Sequence, residues 1–564
     1  MNRFALILVA LMATLLSTVS SQPPIDRPDR HDRPRQLQLV EATVQELQSA
    51  LRTHLITSEQ LVQMYLNRLA AYDQAGPMLN SFIHINEYAL DEARDRDRDR
   101  TCGRAHGPLF GIPILLKDNI NTVGMPTTAG SLALAGSAPP NDAFITQKLK
   151  EAGAIILGKA TLTEFANFIA IGMPAGYSSL GGYGFNPYDP RPLPGSDGRP
   201  VLTTGGSSSG SGIAVSANLV TVAVGTETSG SILSPGTSNG VVGIKPTLGL
   251  VSRAGILPIT ADQDTAGPLA RTVADAAILL SVISGYDPND AATAPCLVAG
   301  NCRRDYTRFL KKHALRGARI AVPRAPYWDG LPDPHRQLML DAIEVFRREG
   351  AFVADPYEIP NQAAISAFGI CTSYPAPSNC STVLMYGQKR DLNNYLATRP
   401  SAPVRTLADI IAFNSAHSEV ALKYGQAIFL AANQLDTNPG SADTLRYLAD
   451  RAQDLALTRT GLDAVFNGPD GIQGTDDDFD AILFPQNRGA AAPAKAGYPS
   501  IVVPGGFVPA GGAVVNPSPI GVTFTGRAFS EPTLIALAYA FEQATKHRQA
   551  PPSAPPLPTD FVHR

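Results

Sequence analysis

The chain has 564 residues, 44% hydrophobic and 17% charged, enough apolar material to bury a large core. Lys and Arg number 46 against 49 Asp and Glu, a formal net charge of −3. That balance excludes a strong polyanion binder, which needs a basic surplus or stripe, so nucleic acid is not an expected partner.

The N-terminus places Arg3 before an apolar run from Phe4 to Leu16, then small residues Val19, Ser20 and Ser21 ahead of Gln22-Pro23. This is the pattern of a secretory signal peptide over residues 1–21, and it predicts a secreted or periplasmic protein after cleavage. The run is short for a bilayer span; an uncleaved anchor is the other reading, and no stable membrane partner is expected. Residues 22–37, rich in Arg, Asp and Pro, read as a disordered linker, and a folded domain is expected over 38–548.

Between Val44 and Tyr72, Leu47, Leu51, Leu61, Val62, Tyr65, Leu66 and Leu69 recur at helical spacing. Thr57-Ser58 interrupts them as the N-cap of a second helix. Asp91 to Arg100 alternates acid and base and reads as a solvated helix face. From Leu109 onward, short apolar runs such as Ile112–Leu116, Ala154–Leu157, Thr221–Val224 and Ile320–Val322 read as buried strands. The segments 143–152 and 273–284 supply helices between them, and Ala481–Phe484 and Ile501–Val503 add late strands. Such alternation predicts an α/β fold with a mixed or parallel sheet. The stretch from Pro332 to Thr460 reads as a more helical, irregular cap that shapes a cleft. The Pro-rich tail, 549–564, reads as extended and mobile.

Cys296 and Cys302, and Cys371 and Cys380, are spaced for two local disulfides, with Cys102 alone; free thiols are the alternative that spacing leaves open. The loop from Asn467 to Asp480 is acidic enough to hold calcium but lacks the EF-hand pattern, and a solvated loop is the preferred reading.

The densest chemical signal is the Gly/Ser-rich stretch from Thr203 to Pro246, which alternates with buried-strand patterns as a flexible linker would not. Glycine there lets the amides of Thr228, Ser229, Gly230 and Ser231 turn toward one point, the requirement for an oxyanion hole. A serine nucleophile needs a base, and none of the nine histidines has a recognisable catalytic context. Lys117 ends an apolar run, where burial would lower its pKa and leave it partly neutral.

Four segments in series, Gly111-Ile-Pro-Ile-Leu-Leu-Lys-Asp-Asn119, Gly205-Gly-Ser-Ser-Ser-Gly210, Gly225-Thr-Glu-Thr-Ser-Gly-Ser-Ile232 and Gly240-Val-Val-Gly-Ile-Lys-Pro-Thr247, resemble the amidase signature family. The resemblance runs from about residue 38 to 545 and includes Gln263-Asp-Thr-Ala-Gly-Pro268. It implies one α/β domain, a mixed central sheet covered by helices on both faces. It also implies a Ser–cis-Ser–Lys catalytic set: nucleophile Ser231, bridging cis-serine Ser207 and base Lys117. The implied activity is hydrolysis of a linear carboxamide to acid and ammonia, with no metal or cofactor, and the wording is nearest to bacterial peptide amidases. The implied partner is a small amide or peptide amide. Glu227, Ser229-Gly230 and Leu233 depart from the common pattern, and Glu227 is expected to be a structural hydrogen-bonding residue.

The residues leave three other readings. Gly206-Ser-Ser-Ser-Gly210 also fits a nucleophile elbow centred on Ser208, but no acid and histidine follow in suitable contexts. The chain could resemble the amidase-type component of a glutamyl-tRNA amidotransferase, acting in a complex, against which the signal peptide and absent basic surplus argue. Or it could be a noncatalytic binding protein on the same scaffold, against which the intact Lys117, Ser207 and Ser231 argue.

Overall fold

Thr43 and Thr57 each cap a helix with a reciprocal side-chain pair, to Glu46 and Gln60, and so begin the helices Val44–Arg52 and Ser58–Arg68. The structure, a computed structural model, describes residues 36–563. The signal segment and residues 22–35 of the expected linker lie outside the described residues.

Eleven strands form one mixed sheet. In spatial order they are Phe352–Ala354, Arg319–Ala321, Ala481–Pro485, Ser518–Thr525, Ser500–Val508, Val242–Lys245, Thr265–Ala270, Val222–Glu227, Pro113–Lys117, Ile155–Ala160 and Phe82–Ile85. The Pro113–Lys117 strand lies parallel to both neighbours, Val222–Glu227 and Ile155–Ala160, and every residue of the three is buried. Burial on both faces explains why these strands read as continuous apolar runs rather than alternating ones. Helices flank the sheet, and Val273–Ile283 packs on it behind a Thr272 cap. The α/β fold and mixed sheet are therefore as expected.

The central region is helical, with Asp333–Arg348, Val383–Ala397, Leu407–Ala416, Ala427–Gln434 and Ala442–Phe466. It also contributes the edge strand Phe352–Ala354, three residues too short to show a strand period. Both local disulfides are formed, Cys296–Cys302 and Cys371–Cys380, and Cys102 is free and exposed. In the 467–480 loop the carboxylates of Asp470, Asp477 and Asp478 accept N–H groups of the loop itself. No helix among the described residues is long and apolar enough to cross a membrane.

The tail corrects its expectation. Residues 561–563 pair antiparallel with residues 36–38, so two residues assigned to the linker belong to a strand. Asp560 and Arg68, fully buried, form an ion pair at 2.5 Å, and the Arg68 guanidinium also donates to the carbonyls of Ala554 and Pro555. A buried guanidinium needs every acceptor it can reach, and the tail supplies them.

Candidate active site

Lys117 closes its strand at the carboxyl end of the three parallel strands and is 0% exposed. Its Nζ reaches Ser207 Oγ at 2.8 Å, Thr226 Oγ1 at 2.9 Å and the Thr226 carbonyl at 3.2 Å. These are hydroxyl and carbonyl oxygens, not carboxylates. Burial therefore pushes the ammonium down to about 7, against the upward pull of Asp264 and Glu227, which act without touching it.

Ser207 is fully buried and follows a cis Gly206–Ser207 peptide bond. Gly205 before it has φ +64°, and a Cβ there would lie 2.5 Å from the Ser234 carbonyl oxygen, so only glycine fits this approach. Ser231 is 7% exposed and precedes the short helix Leu233–Ser238. Its carbonyl accepts the Ser208 N–H at 3.2 Å, which ties the two serine loops together. Lys117 and Ser207 are thus in contact; a Ser231 Oγ to Ser207 Oγ bond is not among the described hydrogen bonds.

Glu227 accepts the N–H groups of Gly230 at 2.7 Å, Ile232 at 2.7 Å and Leu233 at 3.1 Å. Its structural role is as expected, and it already takes the N–H of Gly230, one of the four amides expected to receive an oxyanion. Among the described residues, the N–H groups of Thr228, Ser229 and Ser231 have no such acceptor. Ser208, the elbow candidate, is fully buried, donates from Oγ to the Thr226 carbonyl at 3.0 Å and accepts the Thr226 N–H at 3.2 Å. Its hydroxyl is committed to the backbone.

Two residues that contact the site have no role in the sequence expectations. Thr226 provides two of the three Lys117 contacts, and Asn119 Nδ2 donates to its hydroxyl at 3.0 Å. Asp264 accepts from Thr228 Oγ1 at 2.5 Å and from the N–H groups of Ile259 and Thr260, and burial pushes its carboxyl up to about 7. Both stand inside motifs quoted above; strand parity in Gly225–Glu227 was the available signal for Thr226. Beside Ser229 opens a cleft of about 440 Å³ lined by Gln263, Tyr327, Phe368, Ile370 and Arg488. The Phe368 to Ile370 wall comes from the central region and is stapled by the Cys371–Cys380 disulfide.

A buried amine at a strand end in contact with a buried cis-serine, and a serine loop with free amides tied to the loop of that cis-serine, on a mixed sheet, define the class: an α/β hydrolytic enzyme. The amidase family model matches residues 60–535, and the chain belongs to that family. It is 39% identical to a probable amidase of Arabidopsis thaliana over 91% of each chain. The solved peptide amidase of Stenotrophomonas maltophilia superposes with a TM-score of 0.76 at 41% identity, over 91% of this chain and 98% of that one. A glutamyl-tRNA(Gln) amidotransferase component of Desulforudis audaxviator is 31% identical over 92% of this chain and 99% of its own. The chain is thus an amide-hydrolysing enzyme of the amidase family.

Proposed function

We propose that this protein is an exported amidase that hydrolyses a peptide C-terminal amide to carboxylate and ammonia through an acyl-enzyme on Ser231. The observation that carries the reading is the Lys117 amine, buried with only Ser207 and Thr226 oxygens around it and a pKa near 7. With the two Thr226 oxygens taking two N–H bonds, the third direction on Nζ faces Ser207.

Neutral Lys117 accepts the Ser207 proton as Ser207 accepts that of Ser231, and Ser231 Oγ attacks the carboxamide carbon. The oxyanion is received by N–H groups of Thr228, Ser229 and Ser231. The proton returns along the same path to the nitrogen, the C–N bond breaks and ammonia leaves. Water then attacks the ester, giving up its proton to the same path, and releases the acid and Ser231. Export is supported by the apolar run Phe4 to Leu16 and by two disulfides, which persist in oxidising compartments.

The test is ammonia release from fatty, aryl and peptide amides by the isolated protein and by Ser231→Ala. Peptide amides should be hydrolysed fastest, and the variant should lose about 10³-fold or more. Full activity in Ser231→Ala overturns the mechanism; peptide amides as the slowest class overturn the substrate. Turnover without partner proteins or tRNA counts against an amidotransferase-like role.

A further inference from the structure

The cleft beside Ser229 holds one unsatisfied buried group. Gln263 is 1% exposed, and its Nε2 donates to the Thr228 carbonyl at 3.3 Å. A carbonyl can only accept, so the atom facing Thr228 is the nitrogen, and the amide orientation follows from the bond itself. Oε1 is then left over, and among the described cleft residues it is the only buried side-chain atom with no hydrogen-bond partner. Buried acceptors in native proteins are paired, and an orphan in a cleft calls for a donor from outside.

The other polar groups of the cleft are committed or of the wrong kind. Tyr327 Oη donates to Gln362 Oε1 at 2.6 Å, and Gln362 Nε2 donates to Ser366 Oγ at 2.9 Å. Lys495 pairs with Asp454 at 2.6 Å, and Arg488, which bonds the Tyr327 carbonyl at 3.3 Å, carries donors only. Ser229 is half-buried, so water can reach its hydroxyl. Gln263 and Asp264 also grip Thr228 together, one by its carbonyl and the other by its hydroxyl. Oε1 is therefore held at a set place beside Thr228, the residue three positions before Ser231.

We propose that Gln263 Oε1 is a specificity-determining acceptor that takes the backbone N–H of the residue bearing the scissile carboxamide, selecting N-acylated amino-acid amides over fatty or aryl amides. This rests on the amidase reading above. The ammonia leaving group is too small to need the cleft, so the acyl part fills it. A substrate whose acyl chain lacks that N–H leaves Oε1 buried and unpaired, and is rejected for that reason.

The experiment compares kcat/KM for N-acetyl-leucinamide and its isostere 2-acetoxy-4-methylpentanamide, in which an ester oxygen replaces the N–H and the scissile carboxamide is unchanged. The wild-type protein should prefer the N–H compound by about tenfold or more. Gln263→Met should bring the ratio toward one by slowing the N–H substrate more than its ester isostere; loss of the Thr228 contact acts on both compounds alike and leaves their ratio as the readout. A wild-type ratio near one overturns the proposal without any variant, and so does a preference that survives in Gln263→Met or, should that variant not fold, in Gln263→Leu. If both compounds turn over equally, Gln263 loses its role and the amidase stands; if neither turns over and a fluorophosphonate does not label Ser231, the amidase reading itself falls and takes the proposal with it.

Discussion

Lys117 and Lys159 sit on adjacent parallel strands, Lys159 in register with Leu116, and both are 0% exposed. Lys159 touches the Asp118 carboxylate at 3.0 Å, with the Pro126 carbonyl and Thr127 hydroxyl also at 3.0 Å. Burial pushes its ammonium down, and the touching carboxylate offsets part of that fall. Lys117 meets the same burial with no carboxylate in contact, so nothing adjacent offsets the desolvation of its charge. The pair teaches that burial alone does not make a lysine a base. The partner set decides, and Thr226 and Ser207 are the partners that leave an amine free to take a proton.

The comparison breaks most visibly in activity. Lys117→Met should lower kcat by about 10⁴-fold or more while leaving the fold intact, because it separates no ion pair. Wild-type turnover in that variant, checked beside its melting curve, would remove Lys117 from the mechanism. Lys159→Met should do the reverse. It strands a buried Asp118 charge and should cost about 3–5 kcal/mol in denaturant unfolding, with the protein that folds still turning over. Equal stability of the two variants would mean that the two lysines do not differ as their contacts say.

Much of this contrast was legible in the residues. Ile112 to Leu116 announces a buried strand and places a lysine at its end, and the serine motifs carry Ser207 and Ser231. The partners were not legible, because Thr226 and Asp264 become partners only once the 222–227, 113–117 and 265–270 strands are laid side by side. Nor does spacing say which amide a carboxylate takes: Glu227 was expected to be structural, yet that it takes the Gly230 N–H is visible only in the folded loop. The tail misled for a related reason. Its prolines read as mobile, while the residue that anchors it, Arg68, lies 492 positions from Asp560.

Glu227→Gln sharpens the serine side of the site. Its amide nitrogen would face an N–H that now meets a carboxylate oxygen, costing about 1–3 kcal/mol and slowing Ser231 acylation; an unchanged melting temperature and acylation rate would contradict the anchoring role. A smaller effect follows from linkage. The folded-state pKa of Lys117, about 7, lies below its ordinary 10.5. Between those values the unfolded chain holds a proton that the folded protein has released, so stability should rise with pH there. Relative to Lys117→Met, the rise should be at most about 1.4 kcal/mol per pH unit. Parallel stability–pH curves for the two proteins would contradict it. Ser208→Ala should do least. It removes two bonds to the Thr226 backbone, costs about 1–2 kcal/mol and leaves turnover in place, whereas abolished turnover would restore the elbow reading.

The most direct test of a neutral lysine acting through Ser207 on Ser231 is the rate of fluorophosphonate labelling as a function of pH, with the labelled residue located by mass spectrometry. The label should fall on Ser231, and its rate should rise through an apparent pKa near 7 that Lys117→Met abolishes. A label on Ser208, or a rate that is flat across that range, would contradict it.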